Sequence, residues 1–211
     1  MPAKTSDARA PRRRLTPEQR IPEILDAAIK LFAARGFSAT RMDDIAAHAG
    51  LSKGGLYNHF ASKEDIFRAL LDSHSASKRV KLPHPDESEP ITVDWLLLHL
   101  VDPVYDAFAQ EDGLHLIRLM LNEGSRFPEF VAYWHEVISS PFIAALDGAV
   151  AQGVAQGLLR ECAMTRTPAL IVAPALMFLH ERLLYGRNNP PHIKIDHQQS
   201  HRELLRENLT P

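Results

Sequence analysis

Seven consecutive residues, Lys53-Gly54-Gly55-Leu56-Tyr57-Asn58-His59, supply a cation, a phenol, an amide and an imidazole with no bulky side chain at their start. That mixture suits phosphate oxygens and base edges. A glycine inside a helix costs about 1 kcal/mol relative to alanine, so Gly54 and Gly55 in succession call for a reason other than helix stability. Two reasons are open: close backbone approach to a nucleic acid, or a turn that continues into a loose helix. Tyr57 reads either as an exposed contact or as a core aromatic with its hydroxyl at the rim, whereas Leu56 and Phe60 read as core. Metal and nucleophile chemistry find less support. His197 and His201 stand at i, i+4, but no third ligand follows at a defined spacing, and Gln198 stands where a zinc-protease motif needs glutamate, so the pair reads as a solvated helical face. The single cysteine, Cys162, forms neither an intrachain disulfide nor a Cys-x-x-Cys pair and reads as a small, partly buried hydrophobe. With no phosphate-cradling glycine loop and no nucleophile elbow, neither an enzyme nor a bound metal or cofactor is expected.

The elements that must carry those residues are helices. Thr16, Pro17 and Gln19 read as cap, first helical position and capping-box partner, and Ile21, Ile24, Leu25, Ala28 and Phe32 follow at helical spacing until Gly36. Thr40 with Asp43 reads as the start of a second helix, two turns long and stopped by Gly50. Ser52 caps a third to about His59, and Ser62 with Glu64 and Asp65 opens a fourth to about Arg79. Two short helices around the tight Ala49-Gly50-Leu51 turn, with Ile45, Leu51, Leu56 and Phe60 placed to pack them, give helix-turn-helix spacing. The segment Leu82–Pro90, with three prolines and three acids, breaks the pattern and reads as a connection. Beyond it helices are predicted at 91–109, 113–123, 128–156 with a kink near Pro141, 167–185 and 195–208, with Gly186 and Arg187–Pro191 between the last two. No alternating strand pattern occurs, so the fold class is all-α.

Charge divides the chain at the same place. Up to Lys81 there are 15 Lys/Arg against 9 Asp/Glu, and afterwards 9 against 17, so a head of +6 joins a body of −8. Phosphate attraction follows local rather than net charge, which fits a nucleic-acid-facing head. Hydrophobic and charged fractions of 45% and 24% are those of a folded globular chain rather than a disordered one. The longest apolar run, Ala169–Leu179, is broken by Pro174 and short of a membrane span, and the basic N-terminus lacks the apolar stretch of a secretory signal. A cytoplasmic protein is expected.

The stretch Gly36-Phe37, Thr40-Arg-Met-Asp-Asp-Ile45-Ala46, Ala49-Gly50-Leu51-Ser52-Lys53-Gly54-Gly55-Leu56-Tyr57-Asn58-His59-Phe60-Ala61-Ser62-Lys63-Glu64 closely resembles the TetR-family signature. The resemblance implies a helix-turn-helix head with a recognition helix at about 52–58 in the major groove. Arg41, Lys53, Gly54, Asn58 and Gly55 then lie nearest the bases, with Ser52 at the start of that helix. Tyr57, His59, Lys63 and Thr40 match phosphate-contacting positions. Gly55 stands where that family often carries threonine or alanine. Arg12, Arg13 and Arg14 precede the first helix, as a minor-groove arm or as a solubilising tail. The organisation read from this is a basic arm at 1–15, a DNA-binding head with its linking helix at 16–81, and a helical body at 91–211.

The body offers apolar helices with a few polar groups, the composition of a small-molecule pocket. Trp95, His99, Arg118, Tyr133 and Trp134 are the candidate ligand residues, with His115 and Glu123 nearby. Arg118 and Glu123 read equally as ion-pair partners of each other or of neighbours. The segment Leu116–Glu129 resembles the body of AefR-like members of the family. In the helix at 167–185, Leu170, Ile171, Leu176, Met177, Phe178, Leu179, Leu183 and Leu184 surround most of the circumference, which asks for a second partner besides the body. The family resemblance implies a homodimer through the last two helices, a palindromic duplex operator, and repression relieved by an apolar or amphipathic effector.

Overall fold

The computed structural model describes residues 17–74, 82–186 and 192–211. The expected arm with Arg12–Arg14, the Thr16 cap, the fourth helix beyond His74 and the Arg187–Pro191 connection lie outside the described residues. Every regular element among the described residues is helical, as the sequence pattern predicts.

Helix α1 (Pro17–Arg35) stops at Gly36, whose φ of +81° is a conformation other residues avoid. Helix α2 (Met42–His48) is capped one residue later than predicted. Arg41 is the N-cap, with its backbone N–H donating to the Asp44 carboxylate at 3.1 Å. The Thr40 hydroxyl instead donates backward to the Gly36 carbonyl at 2.8 Å. Gly50, at φ +67°, turns the chain into α3 (Lys53–Tyr57), which is two residues shorter than predicted. Helix α4 (Lys63–His74) opens at Ser62, whose hydroxyl accepts the Asp65 N–H at 3.1 Å. Residues 82–90 then strap across the body: Gln152 Nε2 donates to the Asp86 and Glu89 carbonyls, and Gln156 Oε1 accepts the Ile91 N–H at 2.9 Å.

Two body helices share one irregularity. Helix α5 comprises Val93–Leu96, a π-helical turn at Leu97–Val101, and Asp102–Ala109. Helix α7 comprises Pro128–Trp134, a π-helical turn at His135–Ser139, and Ser140–Ala155. Each wide turn ends two residues before a proline, Pro103 or Pro141. A proline inside a helix has no N–H to give and crowds the carbonyl four residues back. Widening the preceding turn moves that carbonyl aside, so the Asp102 N–H reaches Leu97 O and the Ser140 N–H reaches His135 O. The kink predicted at Pro141 therefore takes the form of a π turn just ahead of it.

Between these lies α6 (Glu111–Glu123), and after them come a short helix the sequence reading missed, α8 (Ala163–Arg166), then α9 (Ala169–Tyr185) and α10 (His192–Leu209). Cys162, half-buried against the second core, is the N-cap of α8. The 28 residues Pro128–Ala155 are by length and composition apolar enough to cross a membrane, although no uninterrupted apolar run within them is that long. Packing accounts for that composition in part, since Phe130 enters one core and Leu146, Ala149 and Val150 the other.

Two apolar clusters hold the molecule together. The first joins α1–α4 to Leu116, Leu119 and Phe130 of the body, and the second lies among α5, α7, α9 and α10. The segment 82–90 is thus a connection along the chain and not a gap between cores. On α9, Ile171, Ala175 and Phe178 are buried, whereas Leu170, Leu176, Met177 and Leu184 are 44%, 52%, 57% and 62% exposed on the opposite side.

Candidate nucleic-acid interface

The α2–turn–α3 unit is fixed by short-range bonds that follow from its sequence. The Leu51 N–H donates to Ala46 O at 2.8 Å across the Gly50 turn, and the Ser52 hydroxyl accepts the Gly55 N–H at 3.1 Å. Ile45 and Leu56, both fully buried, seal the pair from within. Ser52, Lys53, Gly54, Tyr57 and Asn58 are left exposed on the outer side, with Gly55 and His59 half-buried. Glycine has no intramolecular role at position 54: a Cβ there meets nothing within 4 Å. At 55 a Cβ would come within 3.2 Å of Ser52 Oγ, so that glycine keeps the cap clear.

Beside α3 opens a cleft of about 430 Å³ whose walls include Thr40, Arg41, Lys53, Tyr57 and Lys63. These are five of the ten residues expected to meet DNA: three of the four at phosphate-contacting positions, Thr40, Tyr57 and Lys63, together with Arg41 and Lys53 from those expected nearest the bases. Two corrections apply within it. The Thr40 side chain is 1% exposed and its hydroxyl is committed to Gly36 O, so it shapes the turn and is not presented to a partner. Lys63 Nζ is also occupied, donating to the carbonyls of Phe37 (2.8 Å), Ser38 (3.2 Å) and Thr40 (3.3 Å) and lying 4.5 Å over the Phe37 ring. Lys53 is exposed but paired with Asp43 at 3.1 Å, an ion pair weak enough in water for a phosphate to displace. Arg41 is exposed at the rim of the cleft.

Phe37, Glu123 and Tyr133, none of which the sequence assigns to a contact between head and body, hold this unit to the body. Phe37, fully buried, has its ring 5.1 Å from Phe32, 5.7 Å from Phe67, and 5.0 Å from both Phe127 and Phe130. Glu123 of α6, 9% exposed, accepts the Phe37 N–H at 3.1 Å and the Ser38 hydroxyl at 3.3 Å. The Tyr133 hydroxyl donates to Asp72 of α4 at 2.7 Å, and that carboxylate pushes the phenol above its ordinary range. The Phe-Pro-Glu-Phe run at 127–130 and the apolar neighbours of Glu123 were the available signals, but only folding shows which partner they meet.

The five candidate ligand residues do not converge. Trp95, 8% exposed, belongs to the second core, gives its indole N–H to Glu89 at 2.7 Å and has its ring 4.7 Å from that of His99 at a tilt of 42°. Tyr133 and Trp134 pack on the first core. Arg118 does not pair with Glu123 but donates to the carbonyls of Arg182 (3.2 Å) and Leu183 (3.0 Å) near the end of α9. Trp95 thus packs in one core and Tyr133 and Trp134 on the other.

The reading of His197 and His201 as a solvated face is also corrected. His201 is 2% exposed, between the Ile171 carbonyl (2.7 Å from Nε2) and the Tyr105 hydroxyl (3.2 Å from Nδ1). A carbonyl only accepts, so Nε2 carries the proton and Nδ1 accepts from tyrosine. Burial lowers the His201 pKa, and burial followed by the nearby Asp102 charge pushes the Tyr105 phenol up to about 12. Among the described residues, no group of three or more His, Cys, Asp or Glu side chains is placed to hold a metal ion.

Residues 24–70 match the family described as bacterial regulatory proteins, tetR family, and residues 96–199 match the AefR-like transcriptional repressor, C-terminal domain. The chain is 44% identical over 61 residues to the HTH-type transcriptional activator FasR of Mycolicibacterium smegmatis, covering 29% of this chain and 28% of that protein. It is 30% identical over 109 residues to the HTH-type transcriptional regulator UidR of Escherichia coli, covering 52% and 54% respectively. The chain thus spans between about a quarter and a half of the length of these two relatives. A crystal structure of a TetR-family transcriptional regulator from Mesorhizobium loti superposes with a TM-score of 0.69 at 21% identity, over 94% of this chain and 100% of that one. That likeness shows the fold.

Proposed function

Since the chain belongs to the TetR family of transcriptional regulators, we propose that it acts as a homodimeric repressor that binds a palindromic duplex through two copies of α3 and leaves it when a small effector binds the body. The observation that carries this reading is the bare outer side of α3. Gly54 has open space where a side chain would stand, beside exposed Lys53, Tyr57 and Asn58 and next to the Arg41 cleft. Such a surface admits a close backbone approach to a groove, with cations placed for phosphates. Of the ten predicted contacts, Arg41, Ser52, Lys53, Gly54, Gly55, Tyr57, Asn58 and His59 fit direct roles in this reading. Lys63 and Thr40 act by shaping the turn.

A helix of five residues reads too few bases for tight specific binding, so two heads on a dyad are needed. The exposed apolar side of α9, from Leu170 to Leu184, supports α9 and α10 as the surface that pairs them. The AefR-like match at 96–199 favours repression, although FasR is named an activator. Effector release is supported by the family alone, and an apolar or amphipathic compound suits the body's composition. The experiment is selection of duplexes from a randomised library by the full chain, followed by titration of the selected palindrome. Binding in the nanomolar class that weakens steeply with added salt is expected. Failure to enrich any sequence over bulk duplex refutes the reading.

A further inference from the structure

Helix α6 carries a polar joint at each end of its second half. Arg118 donates to the Arg182 and Leu183 carbonyls of α9, the helix proposed to pair two copies. Glu123 accepts from Phe37 and Ser38 in the turn that leads into α2. The two residues are five positions apart, about 7.5 Å along a helix axis. The first apolar turns of α6 are no looser, since Leu116 and Leu119 are buried in the core shared with the head.

Stability is a poor explanation of Glu123. Its carboxylate is almost fully buried, among the described residues no cation pairs with it, and it ends its own helix, where the helix dipole disfavours an anion. Its surroundings are nevertheless arranged for it. Gly36, held at φ +81°, would put a Cβ 3.0 Å from Glu123 Oε1, so any side chain there would crowd the carboxylate. While Glu123 takes the Phe37 N–H, Lys63 takes the carbonyls of Phe37, Ser38 and Thr40. The turn 36–40 is therefore gripped from the body by its donors and from α4 by its acceptors. Arg41, the N-cap of α2 and a wall of the cleft, follows directly.

We infer that Glu123 is a positioning residue for DNA reading, the joint through which α6 transmits the geometry of the paired α9 helices to α2 and α3 of each head. It touches no DNA itself. This rests on the dimeric reading proposed above. With the joint closed, the two reading helices sit at one separation, and with it open each head pivots on the aromatic cluster around Phe37.

The test uses the full chain and the palindrome it selects from a randomised duplex library, together with versions whose half-site spacer is one base pair longer or shorter. One base pair shifts a half-site by about 3.4 Å and about 35° around the helix. The wild type should bind the altered spacers roughly tenfold or more weakly, the usual range for coupling between sites. Glu123→Ala should lose most of that discrimination while circular dichroism reports a folded protein. Glu123→Gln, which keeps an acceptor for the Phe37 N–H, should retain it. Should Glu123→Ala not fold, Glu123→Asp, one methylene too short to reach the turn, is read in its place. A folded Glu123→Ala or Glu123→Asp protein that discriminates spacers as the wild type does overturns the inference, and so does an equal loss in Glu123→Gln. If the wild type selects no duplex, the proposed function fails instead, which separates the two.

Discussion

Replacing Gly54 by alanine should move stability and DNA binding in opposite directions. In the free chain the added methyl meets no atom within 4 Å and the backbone there has no positive φ, so nothing offsets the helix propensity gained. Glycine to alanine within a helix is worth about 0.5–1 kcal/mol. For a chain of 211 residues that corresponds to a rise in Tm of roughly 1–4 °C. Against a base edge, the same methyl occupies the space through which the backbone must approach. Holding α3 off by even part of an ångström lengthens several hydrogen bonds at once, and a loss of about 1.4–2.8 kcal/mol is roughly 10–100-fold in Kd. Binding to unrelated duplex, which depends on phosphate charge, should be unchanged. Gly55→Ala is the internal control, because its Cβ would press on the Ser52 cap at 3.2 Å and the thermal gain should shrink or reverse. Thermal melting and fluorescence anisotropy with the selected and a scrambled duplex measure both quantities. A Gly54→Ala protein that is stabilised and binds its operator as tightly as the wild type would refute the placement of α3 against DNA.

Tyr57→Phe and Lys63→Ala should separate contact from scaffold. The first removes an exposed hydroxyl and should cost roughly fivefold in operator affinity with no change in Tm, whereas the second frees three turn carbonyls and should lower Tm as well; equal melting of the two variants would count against this division. Leu176→Glu with Leu184→Glu, both on the exposed side of α9, should give a monomer by analytical ultracentrifugation that no longer binds the palindrome, and a doubly substituted protein that still sediments as a dimer would exclude this face. His201 should make the fold acid-sensitive: burial lowers its folded pKa below the unfolded value, so its contribution is complete above about pH 6.5 and is lost as pH falls toward the folded pKa. The stability difference between wild type and His201→Gln should accordingly narrow between pH 7.5 and 5, and a constant difference in urea melts would refute that role.

Local chemistry is what the sequence exposes. Gly36 and Gly50 stop helices because their positive φ is needed at those points, and Ser52 caps α3 because its hydroxyl reaches the Gly55 N–H three residues on. Both signals act within four residues, so both are visible along the chain. The corrections concern contacts made across it. Thr40 has the type and spacing of a cap, but its hydroxyl donates to the Gly36 carbonyl left open by the α1 terminus. Nothing near His201 in the chain signals its burial, because its partners, Tyr105 and Ile171, lie 96 and 30 positions away. Trp95 has the type of a pocket aromatic, and nothing in the residue pattern shows that Glu89, across the Thr92 cap, takes its indole N–H. The π turns are an intermediate case: Pro103 and Pro141 announce a defect, but a kink, a break and a widened turn all satisfy the same missing N–H.

The division of charge and the division of the core fall in different places, and that difference bears on how such a regulator can respond. Charge changes sign near residue 81, where the basic head ends. The first apolar core does not end there, because Phe37 has two of its four ring neighbours, Phe127 and Phe130, on the body side. A head with its own closed core would hang from the body by 82–90, and its orientation would average over many arrangements. Here the head borrows aromatic rings and one buried carboxylate from α6 and α7, so its orientation is set by side-chain packing, which is bistable and not continuously deformable. A shift of α6 by less than a turn then has only two outcomes at the Phe37 turn: the Glu123 bonds hold and the head follows, or they break and the head is released. In the dimer proposed above, release of the Phe37 turn would free the two reading helices from the single separation that the closed joint sets.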